Sequence, residues 1–191
     1  MLAVIIVLAV IGGIVLLFGL FLVGVYNGLI RSRVHTREAW SGIDVQLKRR
    51  ADLVPNLVET VRGYAAHERG VFENVTRARA MLQQAGGPAQ AAEANNQLTQ
   101  ALRTLFAVAE NYPQLRASEN FIALQRELSD IEEKIAYARQ FYNRNVTDFN
   151  TRIQVVPNVV IANMFNFQRF EFFEAEEEAR EVPEVSFTQR P

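Results

Sequence analysis

The sequence predicts an all-α protein: an N-terminal transmembrane helix continuing into a long-helix antiparallel bundle with coiled-coil-like seams. Three observations predict it. The first 26 residues are apolar and carry no charge, an apolar heptad runs from Trp40 to Leu82, and no alternating strand pattern competes with either.

The chain has 191 residues, 49% of them apolar, and a net charge of −1. Residues 1–26 hold 22 apolar residues and four glycines. At 1.5 Å per residue, Leu2–Tyr26 reaches about 37 Å, enough to cross a hydrocarbon core of about 30 Å with some tilt. A cleaved signal peptide would need a basic start, a shorter apolar core and a small-residue cleavage site. No Lys or Arg precedes Arg31, so a retained anchor is expected. Arg31, Arg33 and Arg37, followed by Lys48-Arg49-Arg50, lie downstream of it. Positive flanks stay cytoplasmic, which puts the amino end outside and the rest inside. Tyr26, Arg31, Arg33 and Arg37 are expected at the lipid interface, with Tyr26 in the aromatic belt.

From Trp40, one seam reads Trp40, Leu47, Val54, Val61, Glu68, Val75, Leu82 and the other Ile43, Arg50, Leu57, Tyr64, Val71, Ala78. Such a repeat indicates a long helix packed on other helices. Asp52 could cap a new helix with Pro55 in its first turn. The heptad phase nevertheless passes Pro55 unshifted, which favours one long rod kinked near 51–55. Gly86-Gly87-Pro88 stops it. A second helix has the seam Ala91, Ala94, Leu98, Ala101, Leu105, Val108, Tyr112 and ends at Tyr112-Pro113, since the residue before proline avoids helical geometry. A third starts after Ser118 and carries Phe121, Leu124, Leu128, Ile131, Ile135, Ala138, Tyr142, Asn145 and Phe149.

Three parts result: an anchor over 1–26, a helical bundle over 27–157, and a Phe-rich flap with an acidic C-terminal tail over 158–191. Phe165, Phe167, Phe170, Phe172 and Phe173 must be covered, either by the bundle or by a protein partner or membrane surface. Charge is polarised, with net +4 over 27–85 and −4 over 158–191. The basic residues are interleaved with acids and no nucleic-acid recognition module accompanies them, so nucleic acid is not expected as a partner.

Chemistry is sparse. There is no phosphate loop, Rossmann glycine fingerprint, G-x-S-x-G elbow or H-E-x-x-H. The absence of cysteine removes thiolate zinc sites and Cys nucleophiles. A di-iron bundle needs Glu-x-x-His pairs, but Ser32 and Tyr64 stand three before His35 and His67. No catalytic, cofactor or metal residues are expected. The polar seam residues Arg50, Glu68 and Asn145 are expected to fix register or meet a partner on another helix or subunit. An acid–base role for Glu68 with His67 is the lesser alternative. The Lys48-Arg49-Arg50 run reads as a solvated or lipid-facing face.

These residues resemble the LemA family. The resemblance begins at Tyr26-Asn27 and is most specific over Ala39-Trp40-Ser41-Gly42-Ile43-Asp44-Val45-Gln46-Leu47-Lys48-Arg49-Arg50, followed by Ala51, Asp52, Leu53, Val54, Pro55, Asn56, Leu57 and Val58. It resumes at Glu110-Asn111-Tyr112-Pro113, then at Ala138-Arg139, Tyr142-Asn143, Val146 and Asn150, and reaches Pro157, Phe167, Phe173, Pro183, Val185 and Phe187. Asn166 stands where the pattern would place Gly; both tolerate a left-handed backbone. The resemblance implies a single-pass bacterial inner-membrane protein with a cytoplasmic helical domain and no enzymatic residues to carry over. A branch of the family is associated with magnetosome membranes, which implies by analogy a role in membrane organisation. The expectation is therefore a homo-oligomeric scaffold touching membrane lipids, or alternatively an adaptor for a different protein such as a protease or envelope-stress component.

Overall fold

The computed structural model describes residues 1–174; the acidic tail from residue 175 on, with Pro183, Val185 and Phe187, lies outside the described residues. Six helices follow in order: α1 Leu2–Arg62, α2 Arg69–Gln84, α3 Pro88–Glu110, α4 Pro113–Arg116, α5 Glu119–Arg152 and α6 Asn158–Met164. No strand occurs among the described residues, and the protein is an all-α helical bundle with a long apolar N-terminal helix.

Two compact units are distinguished. The first comprises Met1–Val45 and Lys134–Phe172; the second comprises Gln46–Glu133, with Phe173 also belonging to it. In the first, the end of α5, α6 and the extended segment after it close around one side of α1. Leu29, Phe149, Ile153, Ile161, Ala162 and Phe167 form the core, and Leu22, Val25, Tyr26, Ile30 and Phe170 pack onto it. The α1 members are spaced three and four apart, so they form one helical stripe. Two polar side chains tie the extended segment down. The Tyr142 hydroxyl donates to Glu171 O at 2.7 Å, and Asn150 both donates to Phe170 O at 3.0 Å and accepts from Phe170 N at 2.9 Å. The chain turns into this segment at Asn166, whose φ is 52°. Asn is the commonest alternative to Gly in that left-handed region.

In the second unit, α2 and α3 form a helical hairpin through Ala85-Gly86-Gly87, with Pro88 at the start of α3. The heptad seam of α1 is buried at Leu47, Arg50, Val54, Leu57 and Val61, while Tyr64 is exposed. α1 runs through Pro55 without a break, so Asp52 caps nothing and is exposed. A proline inside a helix leaves the carbonyl four residues earlier without its N–H partner. Here that carbonyl is Ala51 O, and Arg79 Nε from α2 donates to it at 2.7 Å. The helix tolerates Pro55 because a neighbour supplies the missing donor.

One expectation needs correction. The rod does not reach residue 85: it stops at Arg62, and Gly63–Glu68 form a turn before α2. Gly63 is a weak helix former. Val61 and Val75, on either side of the turn, are both buried and stand 14 positions apart in sequence, two heptads, so the apolar count carries no sign of the break. In α3 the buried residues are Ala91, Ala92, Ala94, Asn95, Leu98, Leu102, Leu105 and Ala109, so Ala91, Ala94, Leu98 and Leu105 of the expected seam are buried while Ala101 and Val108 are half-buried. The observed face admits a polar residue, Asn95, because that residue has a partner.

Candidate membrane-proximal site

The first half of α1 is uncovered. Its most apolar window has a mean hydropathy of 3.1 and none of it is buried, and among the described residues this is the one helix long and apolar enough to cross a membrane. Burial begins at Leu22, Val25 and Tyr26 and is complete by Leu29. Tyr26 sets its ring 4.7 Å from Phe165 and 6.1 Å from Phe167.

One turn further on, α1 and α5 enclose a groove of about 420 Å³ lined by Gly28, Arg31, Ser32, His35, Asn145, Asp148 and Arg152. Gly28 and Ser32 are small enough to leave the groove open. Arg31 Nε donates to Asn27 O at 3.4 Å, and His35 Nδ1 lies 3.3 Å from Glu38 Oε2 outside the groove. Among the described residues neither Arg31 nor Arg152 makes an ion pair, so with two guanidiniums against the one carboxylate of Asp148 the groove keeps a net positive charge. Arg33 points elsewhere, with its guanidinium 5.1 Å from the Phe167 ring centre, and Arg37 is exposed.

Tyr142, on the seam of the third predicted helix, is fully buried and packs its ring 5.6 Å from Trp40. Burial first, and Glu171 second, push its phenol up from 10.0 to about 12. The folded state therefore favours the neutral phenol. This contribution is complete below pH 10.0 and is lost as pH rises through about 12. Proteolysis of the full chain across that alkaline window should show cleavage near Phe170 setting in, and Tyr142→Phe should remove the pH dependence. Cleavage that follows the same pH course in Tyr142→Phe would refute the assignment.

In the second unit, Arg50 is 4% exposed. It donates to Asn95 Oδ1 at 2.5 Å and pairs with Glu132 at 2.8 Å, while its Nε is buried without a partner. Burial lowers its pKa and Glu132 opposes that shift; a guanidinium so paired stays charged. Only Lys48 and Arg49 of the basic run are exposed, with Arg49 3.9 Å from Glu127. Asn56 is exposed and Pro55 half-buried. Tyr112 stands before α4, which Pro113 opens, and Asn143 is half-buried. Glu68 sits in the turn before α2; the Asn145 side chain bonds back to Phe141 O, and its main-chain carbonyl accepts from the buried Thr36 hydroxyl of α1 at 3.4 Å. Sequence reasoning missed Asn95 and Arg79, and Asn150 entered it only through the family resemblance. The Phe cluster divides: Phe167 and Phe173 are buried, Phe170 is half-buried, and Phe165 and Phe172 are exposed. No group of His, Asp or Glu that could hold a metal occurs among the described residues.

The fold and this site define a class: all-helical proteins in which a long apolar N-terminal helix leads into a bundle with a cationic groove at the junction. The LemA family pattern matches residues 39–187, and the chain belongs to the LemA family. The match begins at Ala39, downstream of the groove's α1 residues. Over 187 residues the chain is 24% identical to magnetosome protein MamQ of Magnetospirillum gryphiswaldense, covering 84% of this chain and 68% of that protein. It is 26% identical to magnetosome protein MamQ 2 of Paramagnetospirillum magneticum, with the same coverage. Over 156 residues it is 26% identical to protein LemA of Metamycoplasma hominis, covering 81% of this chain and 71% of that one. None of these descriptions names a reaction.

Proposed function

We propose that the chain is a single-pass scaffold of the bacterial inner membrane, acting through self-association and through lipid or protein contacts rather than catalysis. The observation that carries this is the uncovered apolar half of α1 leading directly into the groove of Arg31, His35 and Arg152. Residues 1–26 anchor, 27–157 form the cytoplasmic working body, and 158–191 are an accessory flap and tail. Relatives named as magnetosome proteins support, by analogy, a role in membrane organisation.

The groove suits the phosphate of an anionic lipid headgroup, since basic residues near a membrane surface contribute about 1 kcal/mol each. Full-length protein in nanodiscs should enrich anionic over zwitterionic lipid. Arg31→Gln with Arg152→Gln should reduce that enrichment several-fold, and an unchanged lipid preference would sink the lipid part. Mass measurement in mild detergent tests self-association, and a monomer at micromolar concentration removes it. A carboxyl-terminal reporter should score as cytoplasmic; a periplasmic signal overturns the orientation.

A groove of about 630 Å³ between α3 and α5 supports a second reading, an adaptor for a different protein. Its floor includes Leu102, Phe106 and Leu128, and its rim includes Arg103 and Glu132, a mix that suits a protein segment. A photo-crosslinker placed at Ser129 in native membranes should then give one dominant adduct. Absence of any adduct would count against the adaptor.

A further inference from the structure

We infer that α6 is a second membrane element, a short helix lying in the bilayer interface beside the point where α1 leaves the hydrocarbon. On and beside it four apolar residues are exposed, Val156 at 82%, Val160 at 60%, Met164 at 68% and Phe165 at 53%, with Asn163 the exposed polar residue within the helix. Within α6, Val160 and Met164 are spaced four apart and so share one stripe, with Val156 just before the helix and Phe165 just after it. Ile161 and Ala162 are buried in the core of the first unit. An apolar stripe of this kind in water is unfavourable, and on a soluble surface it marks a contact site.

The occupant follows from where α6 sits along α1. The core that buries Ile161 and Ala162 is the one onto which Leu22, Val25, Tyr26 and Ile30 pack, and the Phe165 ring lies tilted by 52° against that of Tyr26. A hydrocarbon core of about 30 Å takes about 20 helical residues. The uncharged run ends at Tyr26, with Asn27 and then Arg31 beyond it, so the turn Val23–Tyr26 lies at headgroup depth. α6 is therefore held at the level of the interface, with its bare stripe turned away from the protein. Short apolar faces seated at the boundary of headgroups and acyl chains are the interfacial mode of binding. The groove containing Arg31 and Arg152 opens just past this level, where lipid phosphates lie, so apolar and cationic surfaces follow one another in the order that a bilayer presents.

This inference rests on α1 spanning the membrane, and one experiment separates the two. The sequence holds no cysteine, so single cysteines placed in the full-length chain carry an environment-sensitive fluorophore without background. Four exposed positions are labelled in vesicles of brominated phospholipid: Leu16→Cys in the span, Val160→Cys and Met164→Cys on α6, and Tyr137→Cys on α5. The expected result is quenching of Leu16→Cys by lipid brominated deep in the chain. Val160→Cys and Met164→Cys should be quenched by lipid brominated near the headgroup, with blue-shifted emission, and Tyr137→Cys should not be quenched. Quenching at Leu16→Cys with none at the two α6 positions overturns the α6 inference while the span stands. A blue shift at α6 without lipid quenching, growing with protein concentration, shows that a second copy covers the stripe and overturns it equally. Absence of quenching at Leu16→Cys removes the span, and the inference falls with it.

Discussion

Phe167→Ala is expected to destabilise the first unit by about 3–5 kcal/mol, the range for removing a buried aromatic ring. Phe167 is 8% exposed and belongs to the cluster formed with Leu29, Phe149, Ile153, Ile161 and Ala162. Its ring lies 6.3 Å from that of Phe149 and 6.1 Å from that of Tyr26, and the Arg33 guanidinium lies over it at 5.1 Å. Little can collapse into the space it would leave, because the surrounding side chains are fixed on α1 and α5. The segment from Asn166 to Phe172 would then be held chiefly by the bonds from Tyr142 and Asn150. Hydrogen exchange on the full chain in detergent should show protection lost across residues 158–172 and kept at Val75 and Leu98 in the second unit. Phe165→Ala is the matched control, since its ring is 53% exposed, and it should cost about 1 kcal/mol or less. If the two substitutions cost the same, Phe167 does not close the core.

That contrast marks where sequence reading stops. Five phenylalanines in a short run look alike as letters, and the sequence announces only that something must cover them. Which are covered depends on Asn166 turning the chain and on Tyr142 and Asn150 gripping the backbone at Phe170 and Glu171. Those acceptors are carbonyls, which every residue has, so no pattern of side chains reveals them. The helices were far more legible. Apolar spacing alone locates Leu47, Val54, Leu57 and Val61 on one buried face, and Gly86-Gly87-Pro88 marks the turn between α2 and α3. The turn at Gly63–Glu68 leaves no mark on the apolar count because the buried Val61 and Val75 on either side of it stand two heptads apart. Arg79 was illegible for a related reason: its job is to serve a carbonyl freed by Pro55, 24 positions earlier in the chain. At the candidate site, the basic character of the flank was readable, but its division was not. Arg31 lines the groove while Arg33, two residues on, points to Phe167, because successive helix positions differ by about 100°.

Glu132→Ala is expected to cost about 3 kcal/mol, far more than removal of a half-exposed carboxylate elsewhere would. The reason lies in what it leaves behind. Arg50 is buried, and its charge is balanced by Glu132 at 2.8 Å and by the Asn95 carbonyl. Without Glu132 the guanidinium keeps its charge, since arginine does not neutralise in proteins. The penalty is then that of a buried, unbalanced cation, moderated by water reaching it from the side that Glu132 vacates. Replacing the whole arrangement has a different sign. Arg50→Met with Asn95→Leu removes the cation and its buried amide partner together and leaves Glu132 free in solvent. Such exchanges of buried polar groups for apolar ones of similar volume are often neutral or stabilising by about 1–4 kcal/mol. Thermal unfolding of the full chain in detergent should therefore rank Glu132→Ala below the parent and the double variant at or above it. The double variant has lost a register device, however. Arg50 finds both partners only when α1, α3 and α5 are mutually aligned, and a one-heptad slip strands it among aliphatic residues. An apolar seam lacks that penalty, so the double variant should melt over a wider range and give broader amide resonances despite equal or greater stability. A sharp transition and dispersed resonances in the double variant would show that packing alone sets the register. A double variant less stable than Glu132→Ala would show instead that Arg50 contributes net stability through its pairs.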